Sequence, residues 1–223
     1  MIPEAEIGFK RLVKLAPEIK RRFPWAIALK LSGSLGDNQY FETNLDGVQI
    51  CSDYDVVILV DKIPNKEEVK ELIRLLKTPC LNSDIEKKLL ANIDVKIFTV
   101  NFPAHHKMRI PSVFNSNETV WRHLIGGKPV FGEEIFKKYS VADNKKIRWA
   151  LVERHKKRKK AFDLYAHAGF LLRIAKILGR NDIVKEIIET VKKYKDFHTI
   201  SDWQLEEFKR KIEEIEKKLH FQL

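Results

Sequence analysis

Ser52-Asp53-Tyr54-Asp55-Val56-Val57-Ile58-Leu59-Val60 starts with two aspartates and runs on into an apolar stretch. In a strand, residues two apart share a face. Asp53 and Asp55 therefore point the same way, from the mouth of a strand whose remainder is apolar. Upstream, Trp25 to Leu31 reads as another strand that ends at a Gly33-Ser34 turn. Downstream, Asn92-Ile93-Asp94-Val95-Lys96-Ile97-Phe98 reads as a strand that would bring in Asp94. Three carboxylates at one sheet edge repel one another unless cations sit between them. Hard oxygen ligands suit Mg²⁺, which binds one or two carboxylates together with substrate phosphates. A Gly-Ser turn offers backbone N–H groups and a hydroxyl to a phosphate. The pattern points to two-metal phosphoryl or nucleotidyl transfer.

Gly-Ser, then Asp-x-Asp leading an apolar strand, then a lone Asp on a later strand: this order resembles the nucleotidyltransferase superfamily typified by DNA polymerase β. Within it, the small minimal and aminoglycoside nucleotidyltransferases are the nearest in pattern. A fourth piece, His123-Leu124-Ile125-Gly126-Gly127-Lys128-Pro129-Val130-Phe131-Gly132, resembles the Gly-x-Pro-Leu-Tyr-Gly stretch of those enzymes. The resemblance covers residues 5–140. It implies that Asp53 and Asp55 hold two Mg²⁺ ions. It implies that Asp94 ligates the ion at the attacking oxygen and accepts its proton, and that Gly33 and Ser34 contact the phosphates of a nucleoside triphosphate. Two departures stand out. The turn reads Gly33-Ser34-Leu35-Gly36-Asp37 where the family has Gly-Ser-x-Ala-x-Gly, and 18 residues separate Ser34 from Asp53. The added stretch alternates polar and apolar residues around Asp46-Gly47, which predicts a β-ribbon beside the site.

The chain has 223 residues, enough for one large domain or two small ones, and 44% are hydrophobic, enough for a core. No apolar run approaches a membrane span, and the N-terminus shows no signal peptide. The two cysteines, Cys51 and Cys80, make no disulfide framework or metal spacing, so a reduced, cytoplasmic setting is expected. Abundant lysine, glutamate and isoleucine with little glutamine suit a thermophile. The net charge is +11, and residues 145–223 supply +9 of it. That asymmetry fits an anionic partner such as RNA, or a solvated helical surface.

Residues 3–22 read as an amphipathic helix, with Ile7, Leu12, Val13, Leu15 and Ala16 near one face and a break expected at Pro17. Asn65 is the expected N-cap of a helix over 66–77. Ser83 with Glu86 reads as a capping box. Residues 101–117 read as a loop and potential lid carrying His105, His106, Lys107 and Arg109. Residues 126–132 read as a Gly/Pro turn and 133–139 as a short helix. From Asp143 the pattern is helical throughout: a long helix to Ile177 stopped by Gly179, a second from Asn181 to Lys193, and a third capped by Ser201.

These readings predict an α/β (α+β) fold. A nucleotidyltransferase domain with a small mixed sheet occupies residues 1–142, and a helical bundle occupies 143–223. The expected activity is Mg²⁺-dependent transfer of a nucleoside monophosphate from an NTP to an acceptor hydroxyl, with pyrophosphate released. RNA is one acceptor, suggested by the basic run Arg154-His155-Lys156-Lys157-Arg158-Lys159-Lys160; a protein hydroxyl is the other. A cationic aminoglycoside would want an acidic cleft instead. Arg148 and His155 nominally match the Arg-x4–6-His motif of HEPN ribonucleases, a short motif in an arginine-rich region. The alternative class is a non-catalytic nucleotidyltransferase-like module, either nucleic-acid-binding or an antitoxin-type complex subunit.

Overall fold

The computed structural model describes residues 1–38, 42–45, 48–99, 123–140, 161–194 and 201–220. The chain divides into two compact units, Met1–Ser140 and Val141–Leu223. The domain boundary expected after residue 142 lies outside the described residues, as do residues 101–117 and the basic run 154–160.

The first unit is built on a mixed, open four-stranded sheet, so the fold is mixed α/β. Its strands are β1 (Ala26–Leu31), β4 (Tyr54–Val60), β5 (Ile93–Thr99) and β6 (Lys128–Phe131), in the order β5-β4-β1-β6. β1 is antiparallel to β4 and β6, whereas β4 and β5 run parallel. Every residue of β4 is buried, because it lies inside the sheet with packing on both faces. One face, through Leu29, Leu31, Tyr54, Val56, Ile58 and Ile97, forms the larger core. It is covered by helices α1 (Pro3–Arg22), α3 (Lys66–Lys77) and α4 (Asp84–Ala91). The other face packs Ala28, Val57, Leu59 and Phe98 against Leu124 and Phe136, the latter from α5 (Glu133–Ser140).

The inserted stretch forms a separate two-stranded antiparallel ribbon, β2 (Glu42–Leu45) with β3 (Val48–Cys51), paired from Glu42↔Cys51 to Leu45↔Val48. A four-residue helix, α2 (Gly33–Gly36), follows β1 directly.

Four local expectations need correction. α1 does not break at Pro17. Pro17 and Val13 both sit on the solvent face, so the Val13 carbonyl that loses its helical donor can turn to water. Val13 is exposed instead of lying in the apolar face, and Arg11 is buried there. Residues 128–131 are not turn but strand. Pro129 is tolerated because β6 is an edge strand, and glycines with positive φ, Gly127 and Gly132, bracket it. The capping box is at Asn65, not Ser83. The Asn65 side chain accepts from the Glu67 and Glu68 N–H groups while Glu68 accepts from the Asn65 N–H.

Glu86 is instead used inside the protein. It is fully buried with Arg11, whose Nε donates to Oε1 at 3.1 Å. Glu86 also accepts from the Cys80 and Leu81 N–H groups at 2.8 and 2.9 Å. Arg11 in turn donates to the Leu76 and Thr78 carbonyls at the end of α3. Burial pushes the Glu86 carboxyl up, but these hydrogen bonds and Arg11 outweigh it and hold it below its ordinary range. The pair locks α1, α3 and α4 together.

The second unit contains α6 (Ala161–Ile177), α7 (Asn181–Lys193) and α8 (Asp202–His220), each packed on the other two. Its buried residues include Phe170, Leu171, Ile174, Ile183, Ile187, Phe208, Ile212 and Ile215. Gly179 ends α6 at φ +68°, with its N–H on the Lys176 carbonyl and the Arg180 N–H on the Ala175 carbonyl. Ser201 caps α8 in exchange with Gln204: the Ser201 N–H donates to the Gln204 side chain at 2.9 Å, and the Gln204 N–H donates back to Ser201 Oγ at 3.4 Å. Among the described residues, no helix is long and apolar enough to cross a membrane.

Candidate functional site

The parallel register places Asp55 directly opposite Asp94 and Val57 opposite Lys96. With the antiparallel β1 register, this sets three rows of side chains across one face of the sheet. Ala28, Leu59 and Phe98 form the innermost row, which is apolar. Lys30, Val57 and Lys96 form the next. Ser32, Asp55 and Asp94 form the outermost, with the Ser32 N–H donating to the Asp55 carbonyl at 2.8 Å. The face thus grades from hydrocarbon to carboxylate toward the start of β4.

The two lysines of the middle row are both buried, but they are satisfied differently. Lys30 Nζ donates to the carbonyls of Leu124 and Gly126 at 2.5 and 2.9 Å and lies 4.6 Å from the Phe136 ring centroid. Lys96 Nζ is shared between the two carboxylates: it donates to Asp55 Oδ1 and, at 2.8 Å, to Asp94 Oδ2. The Lys96 side chain is 2% exposed, that of Asp55 11% and that of Asp94 37%. The ammonium therefore sits at the inner side of the acidic pair, with Asp94 opening outward.

The Gly33-Ser34 turn closes over this pair. Gly33 has φ +63°, and a Cβ there would run into the Asp55 carboxylate, so only glycine fits. A Cβ on Gly36 would come within 2.5 Å of the Leu31 carbonyl oxygen and 2.9 Å of Gly127 Cα. The 123–132 segment is tied to the same turn: Ser32 Oγ donates to the His123 carbonyl at 3.1 Å, and the Gly127 N–H donates to Asp37 Oδ1 at 3.2 Å. Ser34 is partly exposed on this turn.

Of the five residues singled out from the sequence, Gly33, Asp55 and Asp94 come together, with Ser34 next in the chain. Asp53 precedes the first residue of β4 and is exposed. Among the described residues, no three His, Cys, Asp or Glu side chains form a group placed to hold a metal ion, so Asp53 does not complete a set of three with Asp55 and Asp94. Two adjacent hard carboxylates still match the donor chemistry of a divalent cation. A cation of another kind, the Lys96 ammonium, already bridges them.

Lys96 and Lys30 are the residues that the sequence reading missed. The signal was there: each is a lone lysine in a mostly apolar strand, and Lys96 is two residues from Asp94, hence on its face. His105, His106, Lys107, Arg109, Arg148 and His155 lie outside the described residues. No protein-family profile, curated protein or solved structure matches the chain.

Proposed function

We propose that this chain is a divalent-cation-dependent nucleotidyltransferase of the DNA polymerase β-like superfamily. The observation that carries the reading is the pairing of Asp55 with Asp94 on one sheet face, beneath a Gly33-Ser34 turn that touches Asp55. The contact of the 123–132 segment with that turn supports it, since two separate stretches of the resemblance meet there. Asp55 and Asp94 would hold the cation, with Asp53 joining by turning inward. When bound, Mg²⁺ neutralises charge on the phosphates and on the entering and leaving oxygens. Gly33 and Ser34 would position the triphosphate through backbone N–H groups and the hydroxyl. Asp94, the more open carboxylate of the pair, would take the proton from the acceptor hydroxyl. The acceptor oxygen then bonds to the α-phosphorus, the bond to the β-phosphate oxygen breaks, and pyrophosphate leaves. The acceptor is RNA or a protein hydroxyl, and the setting is cytoplasmic.

One observation favours a second reading. The Lys96 bridge, with no ligand group of three among the described residues, suits a nucleotidyltransferase-like binding module or complex subunit without catalysis. Incorporation of label from α-labelled NTPs, with Mg²⁺ and with RNA or protein acceptors, separates the two. Label transfer that Asp55→Asn abolishes supports the enzyme. No transfer with any NTP or acceptor leaves the binding module.

A further inference from the structure

We propose that Lys96 is a resident cation of this site, which holds Asp55 and Asp94 together without a divalent ion and must withdraw before such an ion can bind them. The inference rests on the divalent-cation reading above. A buried lysine without partners is costly, and two carboxylates in neighbouring strands repel each other. Here each problem answers the other: one ammonium, almost wholly buried, donates to both carboxylates.

An ammonium and a divalent ion compete for the same pair of carboxylates. A lysine ammonium has three donors and no lone pair, so it cannot ligate a metal. Mg²⁺ takes oxygens at about 2.0–2.1 Å, so an ion held by this pair would lie within a few ångströms of Nζ. The like charges would also repel across a few ångströms with little water to screen them. Occupancy is thus a competition between an ammonium built into β5 and an ion from solution. Asp94 is the more exposed member of the pair. Lys30, in the same row, donates to the Leu124 and Gly126 carbonyls.

The competition predicts an unusual mutant. Lys96→Met keeps the length of the stem and removes the charge. In the full chain it should lower the melting temperature in chelator, and Mg²⁺ should restore most of the loss. Mn²⁺ titrated by calorimetry should bind it at least tenfold more tightly than wild type. Lys96→Arg, which keeps a cation there, should stay near the wild-type affinity. If Lys96→Met binds Mn²⁺ no more tightly than wild type, or its melting loss ignores Mg²⁺, Lys96 is a structural ion pair only and the proposal falls. Should that variant not fold, wild-type protein gives the same decision. Acylation of Lys96 by an amine-reactive reagent, quantified by mass spectrometry, should rise with Mn²⁺, and an unchanged yield overturns the proposal. None of these measurements uses nucleotide, so a failure of nucleotidyl transfer is read separately, in the labelling assay.

Discussion

Asp55 and Asp94 are cross-strand partners in the parallel β4–β5 pair, and a single ammonium, that of Lys96, bridges them. The two carboxylates are equivalent in register but not in exposure, and that asymmetry sets the roles proposed for them. If they act in nucleotidyl transfer, Asp55→Asn and Asp94→Asn should each reduce label incorporation by at least about a hundredfold, the scale of losing one preorganised charged group. Wild-type rates in either variant would remove that residue from the reaction.

Gly33 tests the closure of the turn. Alanine at its φ of +63° carries a conformational penalty of about 1–2 kcal/mol, and its Cβ would also meet the Asp55 carboxylate. Gly179→Ala is the matched control: φ is +68° and nothing lies within 4 Å of the added Cβ. Urea titrations should show Gly33→Ala losing clearly more stability than Gly179→Ala. Equal losses would mean that the turn yields around the extra methyl group.

The Arg11–Glu86 pair should govern part of the acid stability. In the folded chain Glu86 is held below its ordinary value of 4.5. Its contribution is therefore complete above that value and disappears as the pH falls through the lower, folded value. Glu86→Gln strands the buried Arg11 and should cost about 3 kcal/mol at neutral pH. Below pH 4.5 the gap between variant and wild type should narrow. A constant gap across the acid range would show that Glu86 titrates normally.

The two cap sites give a sharper contrast than their sequences suggest. Asn65→Ala removes an acceptor used by two N–H groups and should cost about 1 kcal/mol. The Ser83 side chain makes no capping hydrogen bond, so Ser83→Ala should stay within about 0.5 kcal/mol of wild type. Chemical denaturation of both variants measures the difference.

The basic run 154–160 should show itself in salt dependence. Each phosphate contact to a single strand adds about −0.7 to the slope of log K against log salt. Neutralising Arg154, Lys156, Lys157, Arg158 and Lys159 should weaken RNA binding and flatten that slope. An identical slope in wild type and variant would assign this charge to solvated surface and favour a protein acceptor.

Much of this was legible in residue order alone. Local pattern carries the apolar strand of Tyr54–Val60, the Asn65 cap, the Gly179 stop and the Asp46-Gly47 ribbon, because each depends on neighbours a few residues apart. The same logic puts Asp94 and Lys96 on one face of their strand. What sequence could not decide was who stands beside them. That β4 and β5 run parallel, with Asp55 beside Asp94, depends on strand order and register, which are settled by packing between distant segments. Only that register turns a lone lysine in Ile93–Thr99 into a bridge between two carboxylates. Pro129 shows the same limit: its local signal is a turn, and it becomes strand because β1 offers an edge on which a missing N–H costs nothing. Glu86, too, fits a cap motif locally, yet burial beside Arg11 outcompetes the cap, since an unpaired buried guanidinium costs more than an uncapped helix end.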